Sequence, residues 1–255
     1  VTPDVVVDIG NTRMKWGLCR DGDVREVVRL PLDDTTTWEA ELAKLTRTGF
    51  FAREWAVASV NPPALARFIE WAHSRGRTVV FEKHTDLPIR VNVDEPEKVG
   101  LDRLFGAVAA RSLVPLGTPA ITVDVGTAVT VNLIDADGVF QGGAIFPGPR
   151  LMARALNEFT AKLPFSEPTD GYADVAVPGK STAAAIRAGI LAAVGGGMVE
   201  ISSMLADECR VPPWMFMTGG GGHLVNYYKL PWLAEMKLVP TLTLDGIRIA
   251  AEALP

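Results

Sequence analysis

Three acidic residues stand where chemistry is easiest to build. "VVVDIGNTRMKWG", residues 5–17, and "ITVDVGTAVTVNL", residues 121–133, each run a string of aliphatics into an aspartate, then a glycine and small polar residues, then a second apolar run. An ionised acid at the end of a buried strand costs free energy unless something pairs with it. Asp8 is followed by Gly10-Asn11-Thr12 and Asp124 by Gly126-Thr127-Ala128. Glycine admits close approach of another group, consecutive N–H groups in such a turn form a concave anion site, and Asn or Thr adds donors. A carboxylate beside a phosphate-sized nest repels the anion alone, so the combination asks for a metal ion or its water shell between them. Two facing loops of this kind read as a clamp for nucleotide phosphates between two domains; for either loop alone, an Asx-type hairpin is the plainer reading. The third acid lies in "EPEKVGLDRLFGAVAA", residues 95–110, where Asp102 and Arg103 precede an apolar stretch. Asp102 could accept a proton from an attacking hydroxyl, and Arg103 could hold a carboxylate or phosphate. An acid at a helix start can equally do no more than complement the helix dipole.

Other candidates carry less. "MTGGGGH", residues 217–223, ends an apolar strand in Thr218 and four glycines, which lets a backbone pack on a base or ribose or simply starts a helix. No GxxxxGK[ST] sequence is present, so a P-loop is excluded. His73, His84 and His223 show no ligand spacing, and Cys19 and Cys209 are too few and too separated for a disulfide framework, which suits reduced thiols. The six tryptophans look scattered.

The elements that must position these residues repeat. The first half predicts strands at 5–9, 14–20 and 24–30, a helix at 37–47, a strand at 55–60, a helix at 62–75, a strand at 78–81 and a helix from Pro96 to Leu113. "LVPLGTPA" punctuates the chain. The second half predicts strands at 120–124, 128–134 and 139–146, helices at 149–162 and 181–208, a strand at 214–218 and a helix near 243–253. Each half thus opens with three strands joined by short turns, and Asp8 and Asp124 are the same landmark about half a chain apart. The pattern predicts a duplicated α/β unit with a mixed sheet in each half, divided into domains 1–117 and 118–255.

Composition limits the function. The formal net charge of −5 argues against a nucleic-acid binder, and 48% apolar residues suffice for a large core. No basic leader followed by an apolar stretch opens the sequence, and the apolar run at Ile186–Val199 is broken by glycines and Arg187. The expectation is a soluble cytoplasmic protein without membrane or nucleic-acid partners.

Taken in order, "DIGNT", "GLDR", "DVGTAVT", "GGAIFPG", "LNEFTAKLP", "GKSTAAAIRAG" and "TGGGG" resemble the type III pantothenate kinases over about residues 4 to 250. That resemblance implies duplicated ribonuclease-H-like domains of the actin-like ATPase and sugar kinase superfamily, each a mixed five-stranded sheet flanked by helices, in a homodimer. It implies ATP-dependent phosphorylation of the primary hydroxyl of pantothenate, the first step of coenzyme A synthesis. Asp8, Ile9, Gly10, Asn11, Thr12, Arg13, Met14 and Lys15 resemble the first phosphate loop, which implies that they bind ATP with Mg²⁺, and Thr127 resembles part of the second. Asp124 matches the acid associated with a monovalent cation, K⁺ or NH₄⁺. Gly100, Leu101, Asp102 and Arg103 match the pantothenate segment, with Asp102 as general base, and Thr182 matches a substrate-binding threonine on the dimer helix.

Three positions depart from the family's pattern. Val93 stands where many members place a tyrosine, Asn132 replaces an acid, and Ser181 stands where asparagine is frequent. A superfamily kinase for another small hydroxy acid, and a non-catalytic regulatory homologue, are the alternatives.

Overall fold

The computed structural model describes residues 1–167, 175–220 and 236–254. They form two compact units, one of Val1–Leu113 with Thr241–Pro255 and one of Val114–Pro240.

In the first unit, β1 (Val5–Ile9), β2 (Met14–Arg20) and β3 (Asp23–Leu30) form an antiparallel meander, and α1 (Thr35–Arg47) leads to β4 (Glu54–Ser59), α2 (Pro62–Ala72) and β5 (Arg77–Phe81). The sheet order is β3-β2-β1-β4-β5, with β1, β4 and β5 parallel. A two-residue strand β6 (Arg90–Val91) precedes α3 (Leu101–Leu113). Local chemistry explains the helix starts: the Thr37 amide donates to the Asp34 side chain, the Ala64 amide to that of Asn61, and prolines open α2. β1 is buried on both faces except at Asp8, as its unbroken aliphatic run requires.

Four of the six tryptophans are not scattered. Trp16, Trp38, Trp55 and Trp71 converge with Phe68 in the core of this unit, Trp16 and Trp55 meeting edge to face at 5.2 Å and Trp38 and Trp71 at 5.7 Å. They come from β2, α1, β4 and α2, and so tie the acid-bearing meander to both helices.

The second unit repeats the plan. β7 (Ala120–Val125), β8 (Ala128–Ile134) and β9 (Val139–Pro147) form an antiparallel meander, followed by α4 (Pro149–Glu158), α5 (Thr182–Asp207), β10 (Trp214–Gly219) and β11 (Lys237–Leu238). Its own strands run β11-β10-β7-β8-β9, with β7, β10 and β11 parallel. Val123, Val125, Val129 and Val131 pack against Ile190, Val194 and Met198 of α5. The last helix, α6 (Leu242–Ala253), corresponds in chain order to α3 but groups with the first unit, where Gly246 lies against the Phe105 carbonyl. The sequence cut at 117/118 divides the chain once; the contacts divide it twice. The two sheets have the duplicated ribonuclease-H-like topology.

Two helices differ from expectation. The segment 96–113 splits into a 3-10 turn (Pro96–Lys98) and α3, because Gly100 breaks the run. α4 stops at Glu158 rather than 162, where the Thr160 hydroxyl donates back to the Leu156 carbonyl and the chain turns towards Pro164. α5 matches the helix expected at 181–208, and by length and hydropathy it meets the requirement for crossing a bilayer. Its buried positions are occupied by the core of the second unit.

Candidate active site

The first loop starts from strand pairing. Asp8 lies opposite Lys15 in the β1–β2 register, and the Lys15 ammonium sits 3.4 Å from its carboxylate. This pair answers the cost of an acid on a buried strand. On the other side Asp8 is paired with Ala58 of β4. The Gly10 amide donates to the Arg13 carbonyl at 3.1 Å and closes a tight turn, leaving Asn11, Thr12 and Arg13 exposed at its tip. Ile9 and Met14 are buried in the core and can offer a ligand only their backbone. The Asp8 side chain keeps 13% of its surface open, so its carboxylate is both charge-compensated and accessible.

Asp102 belongs to the same unit. It is the second residue of α3, and the Arg103 amide donates to its Oδ1 at 2.9 Å. Its carboxylate folds back over Gly100: a Cβ there would stand 2.6 Å from Asp102 Oδ1. Gly100 is therefore the residue that makes room for the acid. Burial pushes the Asp102 carboxyl above the usual aspartate range, against the Arg103 amide, which lowers it; the charge of Asp8 raises it further, while those of Arg103 and Lys15 lower it. Asp102 thus satisfies the dipole-complementing role expected of an acid at a helix start, and still carries a raised proton affinity suited to a base. Arg103 is half-buried beside it, and burial pulls its guanidinium below the ordinary value. Asp8, Lys15, Asp102 and Arg103 are one electrostatic group.

The second loop has other neighbours. Asp124 lies on β7 between Thr130 of β8 and Thr218 of β10. Gly219 has φ +88°, and a Cβ on it would stand 2.4 Å from Asp124 Oδ1 and 2.5 Å from the Val125 carbonyl oxygen. Glycine is required there twice over, for its conformation and for the close approach. Gly126 and Thr127 are exposed, and the Gly148 amide at the start of α4 donates to the Thr127 carbonyl at 2.9 Å. Behind the loop, Asn132 is buried and donates from Nδ2 to the Thr122 and Thr130 hydroxyls at 3.2 and 3.4 Å. The amide that departs from the family's pattern therefore has a structural partner set. The carboxylate and carbonyl oxygens at this turn are hard donors of the kind alkali cations and Mg²⁺ take.

Thr182 is the first residue of α5, exposed, next to Ser181, whose hydroxyl caps the helix by accepting from the Ala184 amide. Val93 is half-buried. Of the glycine run, Thr218, Gly219 and Gly220 are placed, while Gly221, Gly222 and His223 lie outside the described residues. Sequence reasoning missed Gly148 and the contact of Gly219 with Asp124; the end of β10 in "TGG" was the available signal. Among the described residues no cluster of three or more His, Cys, Asp and Glu is built to hold a metal ion, and Cys19 and Cys209 are free thiols.

Residues 5–203 match the sequence profile of type III pantothenate kinases. A type III pantothenate kinase from Halorhodospira halophila (strain DSM 244 / SL1) is 34% identical over 253 residues, 95% of each chain. Among solved structures, a Campylobacter jejuni protein described as a Baf family transcriptional activator has a TM-score of 0.60 at 18% identity, covering 97% of both chains. The activator of 2-hydroxyisocaproyl-CoA dehydratase from Clostridium difficile, with bound ADPNP, has a TM-score of 0.55 at 12% identity, covering 98% of this chain and 96% of the other. At those identities the two structures speak for the fold alone.

Proposed function

The chain belongs to the type III pantothenate kinase family, and we propose that Asp102 is the base of its reaction, the ATP-dependent phosphorylation of pantothenate that opens coenzyme A synthesis. The observation that carries this assignment is the Asp102 carboxylate seated on Gly100, with its proton affinity raised by burial and by Asp8. In the transfer, the primary hydroxyl oxygen of pantothenate bonds to the γ-phosphorus of ATP as the bond to the β-bridging oxygen breaks, leaving ADP. The hydroxyl proton passes to Asp102. Such transfer rests on positioning and charge neutralisation rather than covalent help.

Gly100, Leu101 and Arg103 frame the acceptor, with the Arg103 guanidinium suited to the pantothenate carboxylate. Asp8 through Lys15 would receive the ATP phosphates: the exposed Asn11–Arg13 tip offers donors, and the Asp8 carboxylate would hold Mg²⁺ directly or through water. When bound, Mg²⁺ neutralises charge developing on the transferred group. Thr127 would add a phosphate donor from the second loop, and Asp124 with the Val125 carbonyl would hold K⁺ or NH₄⁺. Thr182 would contact substrate from the start of α5.

The same helix supports a homodimer. Ala185, Gly189, Ala192, Ala193 and Gly196 form an exposed stripe of small residues, and a Cβ added at Gly189 or Gly196 meets nothing within 4 Å. Such a stripe permits close helix packing between copies. A cytoplasmic location suits this chemistry. Retention of Asp8, Asp102 and Asp124 favours a working kinase over a regulatory homologue.

The test is Asp102→Asn. Pantothenate turnover should fall about 10²–10⁴-fold. Because the folded-state carboxyl is raised, Asp102 adds stability below the ordinary aspartate range, and that contribution is lost as pH rises through the raised value. At neutral pH the variant should therefore melt at or above the wild-type temperature. Wild-type turnover in a folded Asp102→Asn protein removes the assignment.

A further inference from the structure

We propose that the second unit carries a separate pocket for a small organic anion, floored by Trp214 and charged by Lys237. A cavity of about 380 Å³ is lined by Ser203, Ala206, Pro212, Pro213, Trp214 and Lys237. That volume lies at the lower end of the range of small-molecule sites, and its mix of an aromatic wall, prolines and one cation is their usual composition. Trp214 leaves 36% of its surface exposed, and Val211 (45%) and Leu238 (52%) are exposed apolar neighbours in the chain segments beside it. The Lys237 ammonium stands 3.7 Å from the centroid of the Trp214 ring. Among the described residues Lys237 has no ion-pair partner.

The location separates this pocket from the second loop. Trp214 begins β10 opposite Ala120, the first residue of β7, whereas Asp124 and Gly219 lie at the far ends of the same two strands. Five residues of strand put roughly 15 Å between them. A ligand here makes no use of the acids assigned to ATP or cation.

The chemistry of the lining selects the ligand. An indole face with two prolines takes a flat or apolar body, and an ammonium held on that face by cation–π attraction takes one carboxylate, sulfonate or phosphate. A neutral molecule gains only the apolar contacts, and a cation meets Lys237 with like charge.

The probe is 8-anilino-1-naphthalenesulfonate, titrated by fluorescence into the full chain, with neutral N-phenyl-1-naphthylamine as charge control. Lys237→Gln should weaken the sulfonate about tenfold, the value of one charge-assisted contact, and leave the neutral probe unchanged. Lys237→Arg should retain sulfonate binding, and Trp214→Ala should weaken both probes. Saturating Mg-ATP should displace neither, and Lys237→Gln should phosphorylate pantothenate at the wild-type rate. Sulfonate affinity that is indifferent to Lys237→Gln, or displacement of the sulfonate by Mg-ATP, overturns the proposal.

Discussion

Asp8 sits on a rung between Lys15 and Ala58, whereas Asp124 sits on the corresponding rung between Thr130 and Thr218. The two sheets share strand order and direction, so the acids occupy equivalent places. Their neighbours on the rung differ in chemistry. The first acid has an ammonium 3.4 Å away, and the pair together presents little net charge to an anionic phosphate. The second is flanked in register by two hydroxyl residues and packs on the bare Cα of Gly219, next to the Val125 carbonyl. Equivalent strand register places each carboxylate alike, and the residues beside it on the rung are different. The difference bears on the proposed assignment of Mg-ATP to the first loop and a monovalent cation to the second.

The largest effect separates the acids themselves. Asp8→Asn should lower kcat/KM for Mg-ATP by about 10²-fold, the scale of losing one preorganised charge at a reacting phosphate, and leave stimulation by potassium in place. Asp124→Asn should abolish the response to potassium and ammonium while changing the Mg-ATP dependence far less. Steady-state kinetics with and without each cation reads both. An identical cation response in the two variants would break the comparison.

A smaller effect separates the turns. Gly219→Ala forces a side chain into a left-handed backbone and against Asp124, and should cost about 1–3 kcal/mol in urea unfolding. Gly10→Ala meets only the Arg13 carbonyl at 3.2 Å and should stay within about 1 kcal/mol of wild type. Equal losses would mean that the contact between Gly219 and Asp124 does not constrain the second loop.

Much of this was legible in the sequence because continuous apolar runs, acid-glycine turns and prolines are local signals. The aliphatic run ending at Asp8 gave β1, and its echo gave β7, hence the duplicated sheet. Gly100 was visible as an interruption, though its purpose was not: that required seeing the Asp102 carboxylate fold back on it. The tryptophan cluster escaped because its members come from four elements and meet only in tertiary structure. The placement of α6 escaped for the same reason, since its partner α3 lies far away in the chain. Short β6 and β11, of two residues each, carry no periodicity to read. Lys15 was legible as a loop residue, but its role as the charge partner of Asp8 emerged from the strand register.

Asp102, the proposed base, has its proton affinity raised by burial, lowered by the Arg103 amide, raised by Asp8 and lowered by the charges of Arg103 and Lys15. The most direct test is the pH dependence of kcat/KM for pantothenate, which reports the free enzyme, read by the position of its acidic limb rather than its height. A base must be deprotonated, so activity falls as pH drops through its pKa. Burial places the wild-type limb above the ordinary aspartate range. Lys15→Met removes a lowering charge and should move the limb to higher pH, whereas Asp8→Asn removes a raising charge and should move it to lower pH. Opposite displacements in the two variants are the predicted result. A limb that stays fixed in both, or moves the same way in both, would contradict the account.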